Sequence, residues 1–192
     1  MDNVIYFDGT VASDPANEKF VHNEFGVNYK FGKLGLNASA YNTDWQDRNL
    51  TKSVTTGQGD SGDTDVIFLT GVNQKHSGVE LETNYMVNDM LDLMFVASFG
   101  NWKFDGDANG NYQETEYNSE GQAIGYTTTE YAYALDGLYV GDMPQTSYVL
   151  GVTLKPIKDL RIQAIHKMYD KNYSDWSPSA REFDGTNDDA DR

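Results

Sequence analysis

Four groups of residues have the types and spacing to do chemistry. The first is Asp105-x-Asp107-x-Asn109-Gly110, followed after five residues by Glu116. Oxygen donors at alternate positions, a glycine for the turn and a closing carboxylate make a calcium-loop pattern. Asp105, Asp107, Asn109 and Glu116 are thus candidate ligands, and calcium is the one cofactor the sequence suggests. A strand pattern leads into this loop and no amphipathic helix is evident, unlike an EF-hand. Asp, Asn and Gly also build ordinary turns. The second group is Glu80 and Glu82, which period-two spacing puts on one strand face. Paired carboxylates can serve glycoside hydrolysis, but nothing here sets one up as acid and the other as base. The expected role is lining. The third is His22, His76 and His166, which are scattered, with no cysteine and no second ligand at short spacing. A metal centre or a Ser/His/Asp arrangement has no support. The fourth is Tyr112, Tyr117, Tyr126, Tyr131, Tyr133 and Tyr139, crowded into one polar stretch. Tyrosine supplies rigid, amphipathic contact area in binding loops, so these are the candidate ligand-binding residues. Interface and loop packing would use the same side chains. No P-loop or dinucleotide fingerprint occurs. The expectation is a protein that is not an enzyme.

The chain has 192 residues, with 30 acidic against 14 basic side chains and a net charge of −16. No basic stripe is present, which argues against a nucleic-acid partner. Thirteen Tyr, nine Phe and three Trp separate it from disordered acidic chains. The absence of cysteine excludes disulfides and thiolate metal sites. No apolar run approaches the roughly 20 residues of a membrane helix. The start, MDNVIYFDGT, has neither the basic nor the apolar region of a signal peptide.

The elements that position these groups read as strands. Phe25, Val27, Tyr29 and Phe31 alternate with polar residues, and Gly32-Lys33 suits a type II′ turn. Leu34, Leu36, Ala38 and Ala40 return on the same side if Phe31 pairs with Leu34. Val79, Leu81, Thr83 and Tyr85 precede a break at Val87-Asn88-Asp89, and Leu91, Leu93, Phe95, Ala97 and Phe99 follow it. Tyr148, Leu150, Val152 and Leu154 precede a turn at Pro156-Ile157-Lys158-Asp159, and Leu160, Ile162 and Ala164 follow. Pairing Leu154 with Leu160 would set His166 opposite Tyr148. The predicted organisation is a single barrel segment over 1–192. Strands and hairpins fill 22–47, 66–104 and 138–173. A loop occupies 1–21, with a short strand at Val4 to Phe7, and long, external loops occupy 48–65, 105–137 and 170–192. The fold class is all-β: an antiparallel up-and-down meander of about six strands, a partial wall of a large transmembrane β-barrel. Short turns at one end and long loops at the other are the asymmetry of outer-membrane barrels. Trp45, Trp102, Phe104, Tyr169 and Tyr173 are expected in an interfacial girdle near the loops, and Phe31 and Tyr85 in one near the turns.

At these residues the chain resembles the β-barrel of TonB-dependent outer-membrane receptors. The likeness is carried by Asn23-Glu24-Phe25-Gly26-Val27 with Tyr29, and by Leu36-Asn37-Ala38 through Tyr41-Asn42-Thr43 to Trp45 and Asp47-Arg48. His76-Ser77-Gly78-Val79-Glu80-Leu81-Glu82, Gly141-Asp142-Met143-Pro144-Gln145-Thr146 and Tyr173-Ser174-Asp175-Trp176-Ser177-Pro178 extend it. Their order and spacing span most of the chain. The resemblance implies a late-barrel segment in the bacterial outer membrane, its lipid one partner. A plug domain, the remaining barrel strands and a TonB-type inner-membrane energy transducer would be the others. It implies loops that capture a scarce nutrient: an iron chelate, haem, cobalamin, a glycan or another small molecule. The family's plug domain, its transducer-contacting segment and its aromatic-ended last strand do not match anything here. Two other classes fit the residues: a soluble secreted β-barrel or sandwich that binds carbohydrate or peptide, and a passive porin-like channel.

Overall fold

A computed structural model describes residues 17–56, 63–177 and 182–183. Among them there is no helix, so none crosses a membrane, a fact silent on membrane strands. Nine antiparallel strands form one sheet: β1 (Lys19–Phe31), β2 (Leu34–Thr56), β3 (Asp63–Asn88), β4 (Leu91–Phe104), β5 (Ala108–Tyr117), β6 (Ala123–Tyr133), β7 (Pro144–Ile157), β8 (Leu160–Asn172) and β9 (Glu182–Phe183). The fold is thus the antiparallel all-β meander expected, open rather than closed into a barrel. Six strands form a wall in the order β1-β2-β3-β4-β7-β8.

The register lays the alternating sequence out as rows across the wall. Phe31–Leu34–Tyr85–Leu93–Val152–Ala164 is one row, and Tyr29–Leu36–Thr83–Phe95–Leu150–His166 is the next toward the loops. Val27–Ala38–Leu81–Ala97–Tyr148–Met168 and Phe25–Ala40–Val79–Phe99–Thr146–Asp170 follow on the same face. This face is water-excluding in composition, yet among the described residues no element covers its large side chains: Phe25 is 74% exposed and Phe31 71%, while the smaller Ala97 and Thr146 are buried between their neighbours. It then changes within two rows. Asn23–Asn42–Ser77–Asn101 is uncharged and polar, and Val21–Asp44–Lys75–Lys103 beyond it is largely charged. The opposite face carries Glu80, Glu82, Asn84 and Lys30 beside Gly26, Ser39 and Ser98 and the apolar Met94 and Val96.

The hairpins differ from expectation in detail. Gly32-Lys33 is the first turn, with Phe31 opposite Leu34 as expected. Gly32 takes φ +54° and Lys33 does not, the sign pattern of type II′. The second turn is Asp89-Met90 rather than Val87-Asn88-Asp89, because Asn88 Oδ1 accepts the Met90 N–H at 2.9 Å and fixes a tight turn. The third is Lys158-Asp159 alone. Ile157 pairs with Leu160, and a register shift before it leaves Leu154 opposite Ile162. His166 therefore faces Leu150, not Tyr148.

The expected loops at 48–65 and 105–137 are corrected to include strands. β2 runs on to Thr56, β3 begins at Asp63, and β5 and β6 form a further hairpin. In the tail, β8 continues to Asn172 and Glu182–Phe183 pairs with β6. The branch point is in β3, which pairs with β4 from Gln74 to Asn88 but with β5 from Val66 to Thr70. Gly71 sits between, at φ +68°, and Asp47 at φ +56° marks the matching irregularity in β2. The inserted residue turns β3, so Ile67 and Leu69 join Val72 on one side. There they meet Phe104, Ala108, Tyr133 and Leu135 in a small buried core above the wall. The expectations for 1–16, Val4 to Phe7 among them, lie outside the described residues.

Candidate functional site

The polar face of the wall is not uniform. Directly below the small core, the register sets His22–Thr43–His76–Trp102 in one row, with Phe20–Trp45–Gln74 above and Glu24–Tyr41–Gly78–Gly100 below. Phe20, His22, Glu24, Tyr41, Thr43, Trp45, His76 and Trp102, with Glu80, line an open cleft of about 380 Å³. Thr43, 5% exposed, is its floor.

Two glycines let the rings lie close to the sheet. A Cβ on Gly78 would stand 2.5 Å from the Tyr41 hydroxyl, and one on Gly100 2.8 Å from Trp102 Nε1. Trp102 Nε1 donates to the Tyr41 hydroxyl at 2.9 Å. His76 stacks on Trp102, with centroids 5.4 Å apart, and His22 stacks between Phe20 and Tyr41. Buried Gln145 fixes Trp102 from the β7 side. Its Oε1 accepts the Trp102 N–H at 2.9 Å and its Nε2 donates to the Trp102 carbonyl at 2.9 Å. The β4–β7 ladder ends at Phe99 and Thr146, so the Gln145 side chain carries the pairing one step further.

The polar groups are arranged around these rings. His22 bonds to the Thr43 hydroxyl at 2.7 Å and lies 3.6 Å from Glu24. Glu18 accepts from Trp45 Nε1 at 3.0 Å. Arg48 covers one face of Trp45 at 3.6 Å and donates to Gln74 at 2.6 Å. Among the described residues no Lys or Arg lines the cleft, whereas Glu24 and Glu80 do.

The sequence candidates are distributed otherwise. Tyr133 is fully buried in the small core, so it is a packing residue and not a ligand contact. Tyr112 and Tyr131 meet edge to face at 6.2 Å on that same side of the β5–β6 hairpin. Tyr126 belongs to the other face, opposite Thr115, and Tyr117 is at the hairpin's far end. Tyr139 stacks on Tyr173 at 4.2 Å. The six tyrosines therefore do not form one site.

The calcium pattern is also dispersed. Asp105 forms an ion pair with Lys75 at 2.7 Å, whose hydrogen bond and charge raise the Lys75 pKa above its ordinary value. Asp107 accepts the Leu135 and Asp136 N–H groups, both at 3.0 Å. Asn109 is paired within β5, and Glu116 accepts from Thr127 at its far end. Nine residues of extended strand separate Asp107 from Glu116 by about 30 Å. Among the described residues no three His, Asp or Glu side chains are grouped to hold a metal. Glu80 and Glu82 stand on the polar face, where Glu80 accepts weakly from Ser98 at 3.5 Å and Glu82 accepts from Asn84 at 2.8 Å and weakly from Asn37 at 3.5 Å.

The loop-side girdle is corrected. Trp45 and Trp102 belong to the cleft, Phe104 to the small core and Tyr169 to the polar face opposite Ser147. Strand parity held the signal. Trp102 shares parity with Gly100 and not with Phe95, Ala97 and Phe99, and Trp45 is odd where Leu34 to Ala40 are even. Phe31 and Tyr85 are exposed on the apolar face. Comparison with known protein families, with characterised proteins and with solved structures finds no match for this chain.

Proposed function

We propose that this chain is a section of the wall of a bacterial outer-membrane active-transport receptor. Such a receptor imports a scarce nutrient with energy from an inner-membrane transducer. One observation carries the reading: four adjacent apolar rows, which no other element among the described residues covers, run across six strands and stop abruptly at Asn23–Asn42–Ser77–Asn101. A sheet face that packs on a protein core is covered. A face solvated by water does not present this many contiguous rings and branched chains. From Leu93 to Phe99 the four rows run about 20 Å along the strand, or about 16 Å in height at barrel tilt, and Leu91, Leu154 and Ile162 extend them toward the turns in the sense of the apolar girdle of such walls.

The two edges fit the same setting. Among the described residues, β1 pairs only with β2 and β8 only with β7. Unpaired backbone groups in hydrocarbon cost several kcal/mol each, so further strands would continue from both edges. A plug domain would stand against the polar face. The second reading, a soluble carbohydrate- or peptide-binding module, draws on the aromatic cleft, whose chemistry does not depend on lipid.

The test uses the absence of cysteine. Single cysteines placed at Leu81, Phe95 and Leu150, at Asn101, and at Glu82 carry a nitroxide in the full chain reconstituted into vesicles. The first three are expected to be open to oxygen and closed to a polar relaxant. Asn101 should be intermediate and Glu82 aqueous. A chain that stays monodisperse in buffer without detergent, with all five sites open to the polar relaxant, removes the receptor reading.

A further inference from the structure

The cleft beneath the small core has a chemistry that lipid contact does not explain. Phe20 is 59% exposed, yet it shares its face with His22 and Glu24 rather than with Val21 and Phe25. The space, about 380 Å³, is within the range of about 300–1,000 Å³ typical of small-ligand sites. Ring surface there adjoins hydrogen-bonding groups. Phe20, Trp45 and Trp102 stand beside Glu24, Glu80 and the Tyr41 hydroxyl.

We infer that this cleft binds a neutral sugar ring of an oligosaccharide. This deepens the receptor reading and rests on the polar face being a lumen that a nutrient can reach. A pyranose has an apolar face of C–H bonds, weakly positive at hydrogen, that packs on the negative face of an aromatic ring. Its rim of hydroxyls donates to carboxylates, and charge-assisted bonds of this kind are the strong ones. The cleft supplies both partners at once. An anionic ligand would meet Glu24 and Glu80, and among the described residues the neighbouring cation, Arg48, is engaged by the Trp45 ring and Gln74 rather than lining the cleft. An organic cation needs ring faces turned around it. Here one face of each ring is taken, Phe20 by His22, Trp102 by His76 and Trp45 by Arg48, so the rings offer a second face to a flat ligand but do not close around a cation. The glycines hold Tyr41 and Trp102 near the sheet, which leaves room above them.

Two of the three tryptophans, Trp45 and Trp102, line the cleft, so intrinsic fluorescence reports on it. The full chain in detergent micelles is titrated with maltohexaose, cellohexaose, mannohexaose and xylohexaose. At least one is expected to give a saturable change that Trp176→Phe leaves intact. Glu24→Gln, which preserves shape, is expected to weaken that binding by about tenfold, the loss of one charge-assisted hydrogen bond. Phe20→Ala should weaken it as well. No saturable change with any of the four sugars overturns the inference. So does a stronger response to tetramethylammonium or to galacturonate, or a response that neither Glu24→Gln nor Phe20→Ala weakens. The need for detergent is measured separately on the same sample. A chain that needs detergent but ignores the sugars defeats this inference alone. A chain that binds sugar in plain buffer defeats the receptor reading alone.

Discussion

Gly78 and Gly100 contribute by what they lack. A Cβ on Gly78 would meet the Tyr41 hydroxyl at 2.5 Å and the Phe99 carbonyl at 2.8 Å, and the second of these is backbone. Gly78→Ala is therefore expected to push the Tyr41 ring off the sheet, break its bond to Trp102 and cost about 1–3 kcal/mol by overpacking. Gly35 lies in the same sheet, and its nearest neighbour to an added Cβ is the Asn84 carbonyl at 3.9 Å. Gly35→Ala should leave the denaturant midpoint in micelles where it was, so the pair separates crowding from a general glycine effect. The tyrosines give a second contrast. Tyr133→Ala removes a fully buried ring from a small core and should cost about 3–5 kcal/mol. Tyr117 is 45% exposed at a hairpin tip, and Tyr117→Ala should stay within about 0.5 kcal/mol of the parent. Equal losses at the two positions would mean that the loop-side core is not the structural centre of that region.

Between β4 and β7 the continuity depends on one side chain. Gln145 takes both the N–H and the carbonyl of Trp102 where the backbone ladder has ended. Gln145→Leu keeps the bulk and leaves the Trp102 N–H without a partner, at about 1–3 kcal/mol, while the Trp102 carbonyl keeps the Val140 N–H at 3.0 Å. The Trp102 amide should then exchange with solvent faster, while the Phe95 amide, inside the regular ladder, should not change. Much of the wall was legible because period-two alternation states both the strand and its face. Phe25 to Phe31, Leu34 to Ala40, and Leu91 to Phe99 fix their own register once one pair is chosen. Turns were legible where glycine decides, as at Gly32, and shifted where a side chain decides, as at Asn88. β5 and β6 were not legible. Their core face is Ala108, Gly110 and Tyr112 against Tyr131 and Tyr133, without a run of branched chains, and pairing with the upper half of β3 completes it. The cleft was missed for a different reason. Aromatic residues near strand ends suggested a lipid interface, although the parity of Trp45 and Trp102 already assigned them to the polar face.

At the scale of the whole wall, charge and apolar surface are kept apart. In a chain of net charge −16, the four apolar rows hold no Lys, Arg or Glu, and their one acid, Asp170, stands at the edge of the row nearest the loops. Phe95 is at the centre of this surface, between Thr83 and Leu150, and Asn101 is six residues away on the same face in the polar boundary row. If hydrocarbon covers the rows, Phe95→Arg must carry a guanidinium into it. The cost is expected to be about 2–4 kcal/mol near the midplane, and Asn101→Arg, close to the interface, should cost about 0–1 kcal/mol. Reversible denaturation in vesicles measures both. The contrast is specific to lipid, because on a water-facing sheet an added arginine costs little at either position. Equal and small effects at Phe95 and Asn101 would assign the apolar rows to water or to a soluble partner. A large loss at Phe95 alone, with Asn101→Arg close to the parent, locates the membrane boundary between the Phe99 and Asn101 rows.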